Sequence, residues 1–241
     1  MNQAANCLGQ WDRATAYGQK CVTYALATED VRLRVVGWWR SAATQIYSGR
    51  PREGMDLLKN ALSLTALPFD AAMVKAMQGI AEMKLGDVQS AVRDLSEAVQ
   101  WFEQSHIHFT RAFWGVRLAE AHVAAGNEAA ARTVAEDIRA TSRQLGYAFM
   151  EGIAERVLGE VLSGEDPVAA AAHLQSSEEI LGRIGARNEL ARTLTARGSL
   201  LQAAGDRGGA RVLFERALAM FEELGTVDEP ARVRAALAGL D

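Results

Sequence analysis

His106 and His108 are the side chains whose spacing comes nearest to a metal site. Two imidazoles at i and i+2 can share a metal ion only where the backbone is extended, and Glu103 is the one nearby acid that could add a ligand. His-Glu-x-x-His and Cys-x-x-Cys motifs are both absent from the sequence. We therefore predict a solvated turn here and no bound metal.

The motifs of nucleotide and acyl-transfer chemistry are absent as well. There is no Gly-x-x-x-x-Gly-Lys-Ser/Thr loop to cradle phosphates and no Gly-x-Ser-x-Gly nucleophile turn. The adjacent acids Glu178 and Glu179 would point about 100° apart on a helix, so they cannot face one substrate as a pair. We expect no catalytic residues, no cofactor and no enzymatic activity.

The composition is that of an ordinary globular protein, with 49% hydrophobic and 23% charged residues. A net charge of −4 argues against a general nucleic-acid binder. No apolar run reaches the ~18 residues that cross a bilayer, and the start lacks the pattern of a secretory signal. Cys7 and Cys21 are too few to form a disulfide framework. These features predict a cytoplasmic chain with no direct nucleic-acid or membrane partner.

A turn glycine recurs along the whole chain at intervals of 37 to 41 residues. Its positions are Gly9, Gly49, Gly86, Gly126, Gly164 and Gly205. Five residues after each turn comes a small residue: Ala14, Gly54, Ala91, Ala131, Ala169 and Ala210. Such a period is the signature of a stacked repeat, in which small residues let two helices approach and neighbouring pairs cover each other's apolar faces.

Two details refine the repeat. In the unit that contains Gly164, one inserted residue would improve the match by moving Ala170, Leu174 and Ser177 into the packing positions. A second series of glycines, 39 and 40 residues apart, follows apolar residues at the ends of pairs, as a helix C-cap glycine would. These glycines are Gly146, Gly185 and Gly225.

These segments resemble the tetratricopeptide repeat (TPR). The best matches are GDVQSAVRDLSEAV, from Gly86, and GDRGGARVLFERAL, from Gly205. The period here exceeds the family's roughly 34 residues, so we expect longer helices. The elongated units are also similar to the helical-repeat regions of bacterial signal-transduction ATPases, including LuxR-type transcription activators and cyclase-linked ATPases.

The spacing and the resemblance together predict an all-α fold, a right-handed α-solenoid of TPR-like antiparallel helix pairs with about 12 helices. We predict these helices at about 11–27, 30–48, 51–65, 69–85, 88–104, 107–125, 128–144, 147–163, 167–183, 187–204, 207–223 and 228–239.

We expect one superhelical domain over residues 1–241. Its units would lie near 1–29 (incomplete), 30–68, 69–106, 107–146, 147–186 and 187–225, followed by a terminal helix in 226–241. The chain begins inside a repeat, because only eight residues precede the first turn glycine. Either residues 1–8 form a short cap or, as we favour, the whole sequence is a fragment of a longer protein.

The resemblance implies a binding groove, because the first helix of each pair lines a concave surface in the tetratricopeptide fold. The groove positions carried over to this sequence are Trp39, Ile46, Tyr47, Met73, Ile80, Met83, Phe113, Val116, Glu120 and Arg192. Large apolar side chains at positions that face water indicate a binding surface. The alternative is that longer helices tighten the superhelix, so that these side chains pack against one another.

We therefore expect a non-catalytic sensor or interaction domain of a larger bacterial regulator, acting in signal transduction or transcription regulation. Its partner would be a protein, a peptide or a small apolar ligand, and self-association is a further expectation. The alternative is a freestanding scaffold or adaptor for the assembly of protein complexes.

Overall fold

The computed structural model describes residues 1–240. This part of the chain folds into thirteen α-helices and contains no strand. The helices are α1 (Asn2–Cys7), α2 (Trp11–Thr28), α3 (Val31–Tyr47), α4 (Pro51–Leu64), α5 (Pro68–Leu85), α6 (Val88–Gln104), α7 (His108–Ala124), α8 (Glu128–Leu145), α9 (Ala148–Leu162), α10 (Pro167–Arg183), α11 (Arg187–Ala203), α12 (Arg207–Leu224) and α13 (Glu229–Ala238). The predicted all-α class and the twelve predicted helices, α2 to α13, are confirmed to within one residue at each end.

The chain divides into two compact units, Met1–Ala121 and the part from His122 onward. Consecutive helices pack against each other from α1 to α6 in the first unit and from α8 to α13 in the second. The turns between them are short, so neighbouring helices run antiparallel. Alternate helices also touch, α1 with α3, α3 with α5, and α9 with α11. These contacts build TPR-like helix pairs within each unit, while the single domain and its unit boundaries stay predictions.

A left-handed glycine followed by a capping aspartate forms two of the turns inside the pairs. Gly86 has a φ of 91°, a conformation that costs a residue with a Cβ atom about 1–2 kcal/mol. The next residue, Asp87, accepts a hydrogen bond from the Ser90 backbone N–H at 3.2 Å and so caps α6. Asp206 caps α12 in the same way, because it accepts from the Gly209 N–H at 2.8 Å. The glycines with positive φ at turns inside pairs are Gly9, Gly49, Gly86, Gly126 and Gly205.

The fifth predicted turn, at Gly164, departs from this pattern. Gly164 is not among the glycines with positive φ, and α10 is capped by Asp166, whose side chain accepts from the Ala169 N–H at 3.0 Å. Ala169 is only half-buried, so its predicted role as the packing residue is wrong. The interpretation with one inserted residue is confirmed, since the fully buried side chains on α10 include Ala170, Leu174 and Ser177.

The turns between pairs carry the second series of glycines. Gly146 and Gly225 cap α8 and α12 in the left-handed conformation, and Gly185 has a φ of 70°. The predicted C-cap glycine is thus confirmed at Gly146 and Gly225, whereas the C-cap of α10 is Ile184 and the left-handed Gly185 follows it. At the corresponding turns earlier in the chain, Glu29 and His106 adopt a φ of 55° without being glycine.

Residues 2–7 form the short helix α1, which covers α2 and α3. The buried Asn2 side-chain amide donates to the Ala14 carbonyl oxygen at 2.8 Å and to the Thr44 Oγ1 at 3.2 Å. These bonds hold α1 against α2 and α3. Among residues 1–240, no helix has the length and apolar character needed to cross a membrane.

Candidate functional site

A partly open cavity of about 190 Å³ lies in the first unit, between α1, α3, α5 and α7. Three of these helices, α3, α5 and α7, each begin a helix pair, and the predicted groove residues of the first unit lie on the same three helices. Its lining residues are Gln3, Trp39, Arg40, Phe69, Met73, Phe109, Thr110, Phe113 and Trp114. We call this space the aromatic cavity.

Three of the predicted groove residues meet at the aromatic cavity. Met73 on α5 and Phe113 on α7 hold the same position in successive repeats, 40 residues apart, and Trp39 on α3 completes the set. Their exposed fractions are 7%, 5% and 3% respectively, so most of each side chain packs against neighbouring helices. They form the walls of the cavity and at the same time belong to the core.

Specific contacts fix the walls. The Trp114 indole N–H donates to the Met73 sulfur at 3.4 Å, which joins α7 to α5. Phe113 and Trp114 meet edge to face with ring centroids 5.1 Å apart. Phe69 makes a similar contact with Phe102 on α6 at 5.9 Å. Edge-to-face pairs of this kind restrain ring orientation, so the cavity has a defined shape.

Arg40 brings a positive charge to a wall that is otherwise largely apolar. Its guanidinium carbon lies 4.6 Å from the centroid of the Trp39 ring, a cation–π distance. Burial lowers the pKa of the Arg40 guanidinium, and the Cys21 thiol opposes that effect more weakly. The Trp39 indole N–H is buried and has no hydrogen-bond acceptor among residues 1–240. The cavity therefore combines aromatic walls with a few polar side chains, of which Arg40 is charged.

The other predicted groove residues of the first unit lie elsewhere. Ile46, Ile80 and Val116 are fully buried in helix packing, and Met83 is half-buried on α5. None of the four lines the aromatic cavity. Their part in partner binding stays a prediction.

Tyr47 and Glu120 meet a residue that sequence reasoning did not select. The Arg117 guanidinium donates to Glu120 Oε2 at 2.7 Å, and both side chains are buried. The same guanidinium carbon lies 5.4 Å from the centroid of the Tyr47 ring. A buried ion pair inside one helix, covered by an aromatic ring, is a packing element of α7.

Arg192 lies in the second unit, at a polar cavity of about 490 Å³ between α9, α10, α11 and α13. It donates to Glu189 Oε2 at 3.2 Å and lies 3.6 Å from Glu229 Oε1. Arg156 donates to the same Glu189 oxygen at 2.9 Å. The arginines at this cavity are thus largely engaged by carboxylates of the chain itself.

The histidines behave as the sequence predicts for a turn. His106 is exposed and left-handed, and its ring centroid is 6.5 Å from that of His108. Among the residues that the structure describes, no three His, Cys, Asp or Glu side chains are grouped so that they could hold a metal ion.

Sequence reasoning missed six lining residues of the aromatic cavity. A signal was available for two of them, because Phe69 and Phe109 are 40 residues apart, one repeat period, like Met73 and Phe113. Arg40 and Trp114 directly follow the predicted groove positions Trp39 and Phe113 in the sequence. Gln3 belongs to α1, which is too short to show a helical period.

Comparison with solved structures shows the same type of fold. The Rap protein complexed with Competence and Sporulation Factor superposes with a TM-score of 0.79 and 17% identity, over 99% of this chain and 70% of that chain. BtubC (BKLC) from P. vanneervenii gives a TM-score of 0.60 and 19% identity, over 95% of this chain and 92% of that one. For a putative kinesin light chain with nearly identical TPR-like repeats, from Podosopora anserina, the values are 0.56 and 20%, over 79% and 94%.

The sequence matches no protein-family model and no curated protein. Identities of 17 to 20% establish the fold alone. That fold is a TPR-type helical repeat.

Proposed function

We propose that this chain is a non-catalytic binding module that holds a segment of a partner protein or peptide at the aromatic cavity. One observation carries the proposal: three helices that begin successive helix pairs, α3, α5 and α7, direct aromatic side chains around a single partly open space. Stacked repeats use the surface made by such helices to bind extended partners.

The size of the cavity limits what enters it. An apolar cavity of about 150 Å³ accommodates a benzene molecule. The aromatic cavity, at about 190 Å³, therefore has room for one ring-sized or long aliphatic side chain. It is smaller than the roughly 300–1,000 Å³ of sites that enclose a whole small ligand. This favours a peptide or protein segment with one anchoring side chain over a small apolar ligand.

The likeness to the Rap protein adds support, because that protein was solved in complex with Competence and Sporulation Factor and superposes on 99% of this chain. We further propose that the module serves as the sensor or interaction domain of a larger bacterial regulator. The elongated repeats, which resemble those of bacterial signal-transduction ATPases, support that placement. Sequencing the gene on both sides of this segment tests it: an adjoining ATPase, cyclase or DNA-binding segment is expected.

A second candidate is a freestanding scaffold for the assembly of protein complexes. The specific observation in its favour is the likeness to BtubC, in which the matched region makes up 92% of the solved chain. A gene without any adjoining effector segment would favour this candidate over the regulator. The cavity and its anchoring role are common to both.

Indole N–H resonances provide a direct test of the cavity. In the ¹⁵N-labelled protein, N-acetyl-phenylalaninamide should shift the resonances of Trp39 and Trp114 in a saturable manner, whereas N-acetyl-alaninamide should not. The three other tryptophans serve as internal controls and are Trp11, Trp38 and Trp101. No shift, or equal shifts of all five resonances, would contradict the proposal.

A cavity-filling variant tests whether the binding occurs inside. Thr110 is half-buried and lines the cavity, so Thr110→Trp should occupy the space and abolish the shifts while removing little of the core. Thr133→Trp places the same side chain on the exposed face of α8 and should leave them intact. Binding that survives Thr110→Trp would place the phenylalanyl group elsewhere.

A further inference from the structure

We infer that the partner segment carries an acidic side chain beside its apolar anchor, and that Arg40 binds this carboxylate while the anchor occupies the aromatic cavity. This inference rests on the proposed function, because it specifies the chemistry of the segment bound there. It makes Arg40 the residue that determines specificity in a pocket whose other walls are largely apolar.

Arg40 differs from the buried arginines of the chain in lacking an acid. Arg117 pairs with Glu120, and Arg156 pairs with Glu189. Arg40 is half-buried, yet within residues 1–240 no carboxylate oxygen lies within 4 Å of its guanidinium. Its guanidinium lies over the Trp39 ring, and the Cys21 thiol also acts on its charge. The chain thus leaves the hydrogen-bonding fork of Arg40 available to a partner.

The electrostatics favour an anion at this position. Taking a charge partly out of water is unfavourable unless an opposite charge offsets the loss of hydration. Burial is the main cause of the lowered pKa of Arg40, which reports such a loss. A partner carboxylate would offset it, and the planar guanidinium can bind a carboxylate through two parallel hydrogen bonds.

The geometry also decides against a cationic partner. Aromatic walls alone would accept a lysine or arginine side chain through cation–π contacts. Arg40 already covers the Trp39 ring at 4.6 Å, so a second cation would meet both an occupied face and a like charge. In a segment with an acidic residue beside an apolar anchor, the carboxylate would pair with Arg40 and the anchor would pack against the aromatic rings.

An acid within the segment fits better than the carboxylate of a chain end. Phe109 lines the cavity and is 52% exposed, so one apolar ring extends outward from the anchor site. Such a ring can pack against a further residue of a chain that runs on past its anchor. The partner is therefore an internal stretch in which an aspartate or glutamate flanks a large apolar residue.

Matched peptides test the inference through the Trp39 and Trp114 indole resonances. The probes are Ac-Glu-Phe-Glu-NH2, Ac-Gln-Phe-Gln-NH2 and Ac-Lys-Phe-Lys-NH2, together with Ac-Gln-Gln-Phe, which ends in a free carboxylate. We expect the Glu peptide to bind about tenfold more tightly than the Gln peptide, and the Lys peptide to bind most weakly. The ratio between the Glu and Gln peptides should fall as NaCl rises from 0.05 to 0.5 M, because salt screens a partly exposed pair.

Variants test whether Arg40 causes the preference for the Glu peptide over the Gln peptide. Arg40→Gln should reduce the Glu-to-Gln ratio to about one, and Arg40→Lys should retain part of it. Arg52→Gln removes the same charge from an exposed position in the same unit and should keep the full ratio. A ratio that persists in Arg40→Gln overturns the inference. If Arg40→Gln fails to fold, Arg40→Lys and the salt dependence of the native protein decide.

The outcomes separate this inference from the proposed function. Equal binding of the Glu and Gln peptides to the native protein overturns the role of Arg40 and leaves the cavity as an apolar anchor site. Stronger binding of Ac-Gln-Gln-Phe than of the Glu peptide overturns the assignment to an internal acid. If none of the four peptides shifts Trp39 and Trp114, the proposed function itself fails.

Discussion

Gly79 on α5 and Leu95 on α6 are so close that a Cβ atom on the glycine would lie 2.7 Å from the Leu95 Cγ. The same atom would lie 3.1 Å from the Ala91 carbonyl oxygen. Gly198 stands in the same relation to Phe214, because a Cβ atom there would lie 2.6 Å from the Phe214 Cε1. Both glycines lie seven residues before a turn, so the closeness is a property of the repeat.

Replacing Gly79 should therefore overpack the contact between α5 and α6. Leu95 is fully buried and its neighbours are closely packed, so the added methyl group has no adjacent space. We expect Gly79→Ala to lower the free energy of unfolding by about 1–3 kcal/mol in urea denaturation, despite the better helix propensity of alanine.

Gly182 provides the matched control. It lies inside α10, where an added Cβ atom would meet only Leu190, at 4.0 Å. Gly182→Ala should leave stability unchanged or raise it by up to about 1 kcal/mol. Equal destabilisation by the two substitutions would show that close approach at Gly79 is not the cause.

His106 occupies a backbone conformation that glycine adopts at the later turns. A left-handed φ costs a residue with a Cβ atom about 1–2 kcal/mol, part of which the greater chain entropy of glycine offsets. Because His106 is exposed, His106→Gly should raise the free energy of unfolding by roughly 0.5–1 kcal/mol in urea denaturation.

The control is the reverse change, from glycine to a residue with a Cβ atom, made at another turn between pairs. Gly146 has a φ of 74° and open space around its Cβ position, so Gly146→Ala tests the backbone alone. It should destabilise the protein by about 1–2 kcal/mol. A His106→Gly variant less stable than the native protein would mean that the histidine ring makes a stabilising contact.

The fold was predictable because the same residue types recur at the same places. Turn glycines and the small residues after them determine where each helix ends and which residues touch, and twelve helices follow from those two signals. The fifth turn, at Gly164, did not fit a fixed spacing. There Asp166 is the N-cap of α10, and Gly159 on α9 makes the close contact. A Cβ atom added to Gly159 would lie 2.5 Å from the Leu174 Cγ.

The site was less predictable, because an apolar residue on an inner helix face has two physical roles. Trp39, Met73 and Phe113 reach the aromatic cavity, whereas Ile46 and Ile80 fill helix contacts. Hydrophobicity is the same in both roles, so only the packing geometry separates them. A charged residue such as Arg40 is expected at the surface from its type alone. Its guanidinium nevertheless lies over the Trp39 ring, and the residue lines the aromatic cavity.

The buried pair of Arg156 and Glu189 joins α9 to α11 with a distance of 2.9 Å. Arg192 donates to the same carboxylate at 3.2 Å, so Glu189 balances more than one guanidinium. Glu189→Gln keeps the shape but leaves buried positive charge beside a neutral amide. We expect a loss of about 3 kcal/mol of unfolding free energy, at the lower end of the range for broken buried pairs.

Glu223→Gln is the matched control for the buried pair. Glu223 accepts two hydrogen bonds from Arg187 at the protein surface, where water screens both charges. Urea denaturation should detect no change in this variant. A Glu189→Gln protein as stable as the native one would show that the arginines at the polar cavity are compensated by other groups.

Glu82 on α5 should make stability depend on pH. Burial raises the pKa of its carboxyl group above the ordinary value of 4.5, and the charges of Asp94 and Asp87 raise it further, while Arg93 and Lys75 oppose them. The folded chain therefore holds this proton more tightly than the unfolded chain does. Its contribution to stability is favourable at low pH and is lost as the pH rises from about 4.5 through the folded pKa.

Glu82→Gln removes that loss, because the amide stays neutral at every pH. The variant should be more stable than the native protein at pH 7, and the difference should narrow as the pH is lowered to 4.5 and below. Thermal unfolding between pH 4 and pH 7 measures the trend. Glu215→Gln, on an exposed face of α12, should run parallel to the native protein over the same range. The opposite result would be a stability advantage of Glu82→Gln that grows as the pH is lowered. It would show that burial of the charged Glu82 carboxylate does not cause the pH dependence.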